Sequence, residues 1–396
     1  MIEQYSTPIF GCHRYNPILQ CSRTSCFRLR FIRLIEPFSL VIGRRPAPAL
    51  SEPIVMKTIE LRDSFGIDSL VLADRPIPTP GEGEILLKVN AASLNYRDLL
   101  VVDGTFFPDL QFPFVPASDA AGQIEQIGSG VTKFKPGDRV TTHFIQDWEH
   151  GSFNYTLVSA GYLSSTLGGP LPGVLSEYVV LPERGVVAIP SYLSDEEAAT
   201  LPIAGLTAWE SFRLGSLQPG QTVLVQGTGG VSILALQFAK AIGARVIITS
   251  SSDEKLRRAA KLGADITVNY KTNPEWWQTI KAATDGIGVD HVIDVGGPDT
   301  LNQSLKALKP GGFIAVVGLL TGTECQIDIR TFIVRNARVQ SLTVGSRQSF
   351  EEMNAFLADH QLHPAIDAVF PWSKTPDAFR ELRAGKHFGK LVLRPD

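Results

Sequence analysis

"TVLVQGTGGVSILALQFAKAIGARVIITSSSDEKL", residues 222–256, is the stretch on which the fold turns. An apolar run enters Gly227-Thr228-Gly229-Gly230-Val231-Ser232, an amphipathic helical pattern follows, and a second β-rich run, "ARVIITS", comes after it. A glycine-rich loop alone is a weak signal. Strand, loop, helix and second strand in this order are the context that a dinucleotide fingerprint requires. Gly227 permits the tight turn, and Gly229 lets the backbone approach a pyrophosphate over the helix N-terminus, where unpaired N–H groups and the dipole favour anions. The expected phosphate-binding set is Gly227, Thr228, Gly229, Gly230 and Val231. Ser232 replaces the third glycine, so the helix is expected to sit slightly further from the strand.

The second strand ends near Thr249, about 20 residues after Gly227, where an NAD site carries Asp or Glu on the ribose 2′-hydroxyl. Here the hydroxyls of Ser250 and Ser252 precede Lys255, with Arg257 and Arg258 nearby. Hydroxyls and one cation suit a 2′-phosphate, so NADP(H) is expected over NAD(H). Lys255 and Arg257 also read as a solvated helix face, the preferred reading for Arg258.

Outward from this stretch, "ITVNY", "HVIDVG" and "GFIAVVG" are further β-rich runs separated by helical stretches such as "DEKLRRAAKLG". Alternating strands and helices predict βαβ units and a mainly parallel, doubly wound sheet over 191–345. Gly296 and Gly318 close two of these runs and join the expected cofactor-binding residues. "SDEEAATLPIAGLTAW" opens with Ser194 and Glu197 in capping-box spacing. Residues 56–190 carry short β-like runs between Gly and Pro clusters, which predicts a β domain of barrel type. Within it, 141–174 is rich in Gly, Ser and aromatics without periodicity, as functional loops often are. Residues 346–396 return to mixed α and β, ending in a strand that rejoins the first domain. The fold class is thus α/β, a β-barrel domain plus a doubly wound parallel sheet.

The chain has 396 residues, 44% hydrophobic and 19% charged, ordinary for a packed soluble protein. Residues 1–55 hold seven Arg, no Lys and three acids, a local +4 against −3 overall, which leaves −7 on the rest. An acidic body argues against nucleic-acid or anionic-membrane partners. Cys12, Cys21 and Cys26 lie in that first segment and only Cys325 in the body, so no disulfide framework or cysteine-rich zinc site is expected there. The Arg-rich segment 1–55 reads as a gene-model extension or disordered tail before Met56, with cytoplasmic placement, or as a transit peptide, with mitochondrial placement.

"SLNYRDLLVVDG" (93–104), "KPGDRV" (135–140), "LPIAGLTAW" (201–209), "GTGGVSILALQ" (227–237), "DEKLRRAAKLGAD" (253–265), "VNY" (268–270) and "GKHFGKLVL" (385–393) occur in this order. In these motifs the chain from Met56 onward resembles the medium-chain dehydrogenase/reductase superfamily, in its zinc-independent alcohol dehydrogenase-like and quinone oxidoreductase-like branches. The resemblance implies a GroES-like catalytic domain, an inserted Rossmann domain, and a cofactor in the cleft between them. It also implies that Tyr270 and Lys255 approach the adenosine phosphate, with Asn95 and Thr207 on the nicotinamide side.

Zinc-dependent members of that superfamily carry Gly-His-Glu around the position of Ser118-Asp119 and a ligand cysteine in the segment reading "SLNYRD" here. Neither ligand is present, so no metal is expected, and Asp119 is expected to be a structural hydrogen-bond acceptor. His143, Asp147 and His150 in the 141–174 loop are expected to be solvated rather than metal-binding. Without a Lewis acid, a side-chain donor or water must neutralise the developing oxyanion. Asn95 is expected to position cofactor or substrate, Tyr96 to donate a hydrogen bond or proton, and Asp98 to brace the loop. A packed aromatic is the equal alternative for Tyr96. Enoyl and quinone reductases of the superfamily often carry Tyr before Pro in this region, whereas "GTFFPD" places Phe106 and Phe107 before Pro108.

The expected function is NADP(H)-dependent, zinc-independent hydride transfer between nicotinamide and an alcohol/carbonyl substrate. Two alternatives stand beside it: a quinone or enoyl reductase acting on an enone, and an NADPH-binding protein with little turnover. "RTFIVRNARVQSLTVGSR" (330–347) reads as a strand-rich edge that pairs across a two-fold axis, so a homodimer is expected. Trp148, Phe153, Tyr155 and Tyr162 suit a bulky apolar substrate or plain surface packing.

Overall fold

The computed structural model describes residues 55–396 apart from Asn154 and Ala160; residues 1–54, and with them the expected extension, lie outside the described residues. Six parallel strands form one sheet in the order Ile266–Asn269, Arg245–Ser250, Thr222–Gln226, Val289–Asp294, Leu308–Val316 and Arg338–Ser341. Numbered along the chain this is 3-2-1-4-5-6, the doubly wound order. Its direction of winding reverses beside Thr222–Gln226, so the crevice opens at the carboxyl end of that strand, where Gly227 follows. The strands read as continuous apolar runs because helices cover both faces. Leu224, Ile247 and Val292 face one side, Val223, Val225 and Ile248 the other, all fully buried.

The other large sheet is mostly antiparallel and runs Ile366–Pro371, Lys390–Arg394, Glu84–Ser93, Asp119–Ile127, Arg139–Thr142 and Val186–Ala188, with Tyr178–Pro182 also paired to Glu84–Ser93. A hairpin, Val55–Leu61 with Leu70–Pro76, packs Ile59, Leu61 and Leu70 on the same core. Residues 346–396 serve both halves. Helix Arg347–His360 buries Phe350, Met353 and Leu357 in the core of the parallel-sheet half, and Lys390–Arg394 lies inside the second sheet.

Two local expectations change. The stretch 330–347 is not all strand: helix Ile329–Arg335 precedes the edge strand Arg338–Ser341. The helix leaves Ile329, Ile333 and Val334 each more than 60% exposed. The 141–174 segment is anchored at its start, where Ile145 and His143 are fully buried and Trp148 nearly so. His143 Nε2 bonds the carbonyl of Gly345 at 3.0 Å, so it is a packing residue and not a solvated one. Burial lowers its pKa to about 4. Asp147 pairs with Arg184 at 2.8 Å. Trp148 meets Phe153 edge to face at 5.7 Å; the side chains of Tyr155 and Tyr162 lie outside those described.

Candidate active site

Gly227 follows strand Thr222–Gln226 with φ 73°, a conformation that favours glycine. Helix Gly230–Ile242 then starts with Gly229 as its N-cap and no side-chain cap, which leaves its first N–H groups for an anion. A methyl group on Gly229 would meet nothing within 4 Å, whereas one on Gly230 would lie 2.4 Å from Lys390 Cδ and 3.3 Å from Ala204 Cβ. The adjacent glycines therefore answer different demands: open approach at Gly229, and the passage of a lysine at Gly230. Thr228 is buried and Val231 half-buried. Ser232 is 2% exposed and donates to the carbonyl of Gln226 at 2.7 Å, so it bonds the helix to the strand end and is not a mere spacer.

Along the same sheet edge, Ser250 Oγ accepts from the Ser252 N–H at 3.3 Å, and Ser252 Oγ caps helix Asp253–Lys261 through the Lys255 N–H at 3.4 Å. Tyr270, half-exposed, donates its N–H to the carbonyl of Ser250 at 3.1 Å. Lys255 Nζ donates to the Gly385 carbonyl at 2.8 Å, and burial lowers its pKa. Arg258 is not a free solvated residue: it pairs with Asp367 at 2.8 Å and stacks on Phe388 at 4.2 Å. Gly296 and Gly318 follow the two strands beyond Thr222–Gln226, and a methyl group on Gly318 would stand 2.0 Å from the Val295 carbonyl oxygen. Thr207 is 5% exposed in helix Leu206–Gly215. A residue the sequence reading missed is Asp294. It is fully buried and accepts from the Gly297 N–H, Thr300, Ser304 and Gln226 at 2.6–3.2 Å, which ties neighbouring strand ends together.

On the barrel side, Asn95 lies two residues after strand Glu84–Ser93 and is the N-cap of helix Tyr96–Val102. Its N–H donates to Asp98 Oδ2 at 2.8 Å. Its side chain joins two charges: Oδ1 accepts from Lys390 Nζ at 2.6 Å, and Nδ2 donates to Asp119 Oδ2 at 2.9 Å. Lys390 Nζ also donates to the Leu94 carbonyl at 2.7 Å, and Asp119 Oδ2 accepts from the Ile203 N–H at 3.2 Å. Burial, aided by Asp98, pushes the Asp119 carboxyl up to about 7, against the pull of Lys390 and the Asn95 amide. Burial likewise raises Asp98, opposed by Arg97, and lowers Lys390, opposed by Asp119 and Asp98. Arg97 donates to Ser118 Oγ at 2.5 Å and to the carbonyls of Leu167, Gly168 and Gly169 at 3.1–3.3 Å. Tyr96 is 45% exposed.

The glycine-rich loop, the uncapped helix and the hydroxyl-bearing strand end fit a dinucleotide. At the barrel positions where zinc-dependent members carry ligands stand an amide, a hydroxyl and one carboxylate, with no Cys or His. Ser118 donates to the Leu167 carbonyl, Asn95 is engaged by Lys390 and Asp119, and among the described residues no three His, Cys, Asp or Glu gather to hold a metal. An ammonium group stands against the residues that the resemblance puts at ligand positions.

A family model for the alcohol dehydrogenase GroES-like domain matches residues 81–191, and one for zinc-binding dehydrogenase matches 230–359. A zinc-type alcohol dehydrogenase-like protein of Schizosaccharomyces pombe is 42% identical, over 84% of this chain and 96% of its own. An acryloyl-coenzyme A reductase of Metallosphaera sedula is 32% identical, over 80% of this chain and 93% of its own. Among solved structures, an NAD-dependent alcohol dehydrogenase is 35% identical with a TM-score of 0.78, over 86% of this chain and 100% of that one. A mycobacterial protein complexed with NADPH is 26% identical with a TM-score of 0.71, over the same shares. The chain belongs to the medium-chain dehydrogenase/reductase superfamily, among its alcohol dehydrogenase-like members.

Proposed function

We propose that this chain is an NADP(H)-dependent oxidoreductase that moves hydride between nicotinamide and an alcohol/carbonyl substrate without zinc. The observation that carries it is the Lys390–Asn95–Asp119 chain beside the glycine-rich loop, an ammonium, an amide and a carboxylate where a metal-dependent relative needs ligands. The nicotinamide cofactor supplies or accepts the hydride. Gly227 to Val231 would bind its pyrophosphate, Ser250, Ser252, Lys255 and Tyr270 its adenosine phosphate, and Gly296 and Gly318 would line the same edge. Thr207 and Asn95 would face the nicotinamide. Tyr96, with its exposed phenol, would hydrogen-bond the substrate oxygen or give it a proton, while Asp98 holds the Asn95 N–H. Asp98 and Arg97 brace the 167–169 loop through Ser118.

One solved relative is named NAD-dependent and another is complexed with NADPH, so the preference for NADP(H) rests on the end of the second strand and the helix after it, which have hydroxyls and a lysine where an NAD site has an acid. Turnover efficiency with NADPH against NADH tests it. Lys255→Met should weaken NADPH about 10- to 100-fold, the worth of one charge-assisted hydrogen bond, and leave NADH unchanged. The second reading, reduction of an α,β-unsaturated carbonyl, is favoured by the acryloyl-coenzyme A reductase relative and opposed by Phe106 and Phe107, which have no proton to give. An enal separates the two, since an allylic alcohol and a saturated aldehyde report different bonds reduced. Ile329, Ile333 and Val334 beside the edge strand Arg338–Ser341 support pairing with a second copy.

A further inference from the structure

Lys390 opens strand Lys390–Arg394, yet it is 3% exposed and its side chain runs out of that sheet toward the parallel one. Burying an ammonium costs several kcal/mol unless partners compensate. Its stem lies across Gly230, and its head reaches the Leu94 carbonyl and the Asn95 amide. One residue earlier, the Gly389 N–H donates to the Thr228 carbonyl at 3.0 Å. Gly389 has φ 79°, and a methyl group there would stand 2.3 Å from the Ala365 carbonyl oxygen, so the backbone is held close. Residues 389 and 390 therefore touch the glycine-rich loop by backbone and stem, and the barrel site by the ammonium. No intermediate residue is needed between the two.

The ammonium also orients the amide. An Asn side chain can be turned either way, and only a donor on Oδ1 with an acceptor on Nδ2 selects one direction. Lys390 is the donor and the Asp119 carboxyl the acceptor, so the amide is fixed in one direction.

We propose that Lys390 is a positioning residue through which nucleotide binding at the glycine-rich loop holds the Asn95 segment in place. It rests on the reading of that loop as a nicotinamide nucleotide site. The test is hydrogen–deuterium exchange of the full chain with and without saturating 2′-phospho-ADP-ribose, which lacks the nicotinamide that would face Asn95, and again with ADP-ribose. In the wild type, nucleotide should slow exchange over both 227–231 and 94–98. Lys390→Met keeps most of the stem and loses the ammonium. It should retain the protection at 227–231 and lose the nucleotide-dependent protection at 94–98. Should uncompensated Asp119 prevent folding, K390M/D119N removes both charges, and the same uncoupling is expected. A purely structural lysine would speed exchange equally with and without nucleotide and leave the nucleotide-dependent difference intact. Wild-type protection at 94–98 that survives in the variants, or that is absent while the loop is protected, overturns the role of Lys390 and leaves the nucleotide site standing. Absence of protection at 227–231 with both nucleotides overturns the site and the role together.

Discussion

Gly230→Ala puts a methyl group 2.4 Å from Lys390 Cδ, where carbon atoms normally rest about 3.5–4.0 Å apart. The lysine stem must then move by about 1 Å. Its head is held by bonds of 2.7 and 2.6 Å, so a shift of that size breaks or badly lengthens them. Overpacking alone costs about 1–3 kcal/mol, and a hydrogen bond to a charged group about 1.5–3 kcal/mol. The chain will take the cheaper relaxation, so a loss of about 2–3 kcal/mol is expected. In a Lys390→Ala background the obstacle is gone and only the 3.3 Å approach to Ala204 remains. There the same Gly230→Ala should be neutral to within about 1 kcal/mol, since alanine is the better helix residue. Thermal and urea unfolding of the four proteins in this cycle measure the coupling, with the Lys390→Ala protein as reference so that its own loss cancels. Wild-type stability in Gly230→Ala, or an equal cost in both backgrounds, refutes the packing account of this glycine.

The folded protein keeps a proton on Asp119 up to about pH 7 that the unfolded chain gives up above 3.8. Stability should thus fall as pH rises through this window, by up to about 4 kcal/mol at 1.36 kcal/mol per pH unit, and Asp119→Asn should flatten that part of a melting-temperature profile. His143 has the opposite sign: its folded pKa is lowered from 6.5 to about 4, so stability is lost as pH falls through that window. His143→Phe should remove its share of the acid limb, while His291 and His387, lowered likewise, keep theirs. On the proposed pairing of two copies through this face, Ile333→Glu, which places a charge on it, should shift the protein toward monomer in sedimentation or size-exclusion measurements.

The parallel-sheet half was legible because its signals are local. Apolar runs, the glycine-rich turn and the Ser194–Glu197 capping box each lie within a few residues, and the box is present with both bonds made. The strand order, by contrast, depends on which runs lie side by side, and no periodicity carries that. Lys390 was not legible as part of the site. A lysine opening a terminal strand usually faces water, and its partners Leu94 and Asn95 lie almost three hundred positions earlier. The same distance hid the reason for Gly230, which reads as one more phosphate-loop glycine until the lysine stem is seen against it. The small residues around Asp119 point to a structural acceptor, and it accepts from Asn95 and Ile203. The settings of Arg258 and His143 escape a local reading for the same reason as Lys390: Asp367 and Gly345 are distant in sequence and adjacent in space.

Strand Lys390–Arg394 lies between Ile366–Pro371 and Glu84–Ser93, so the antiparallel sheet is built from both sides of the inserted parallel one. A ribosome makes the first strands of the antiparallel sheet, then all six parallel strands, and only afterwards the strand that carries Lys390. Domains tend to fold as they emerge. During synthesis the nucleotide half therefore has its full set of strands while Asp98 and Asp119 still lack their lysine, and Glu84–Ser93 still has an open edge. The order of translation thus delays assembly of the barrel site until the nucleotide half has been made.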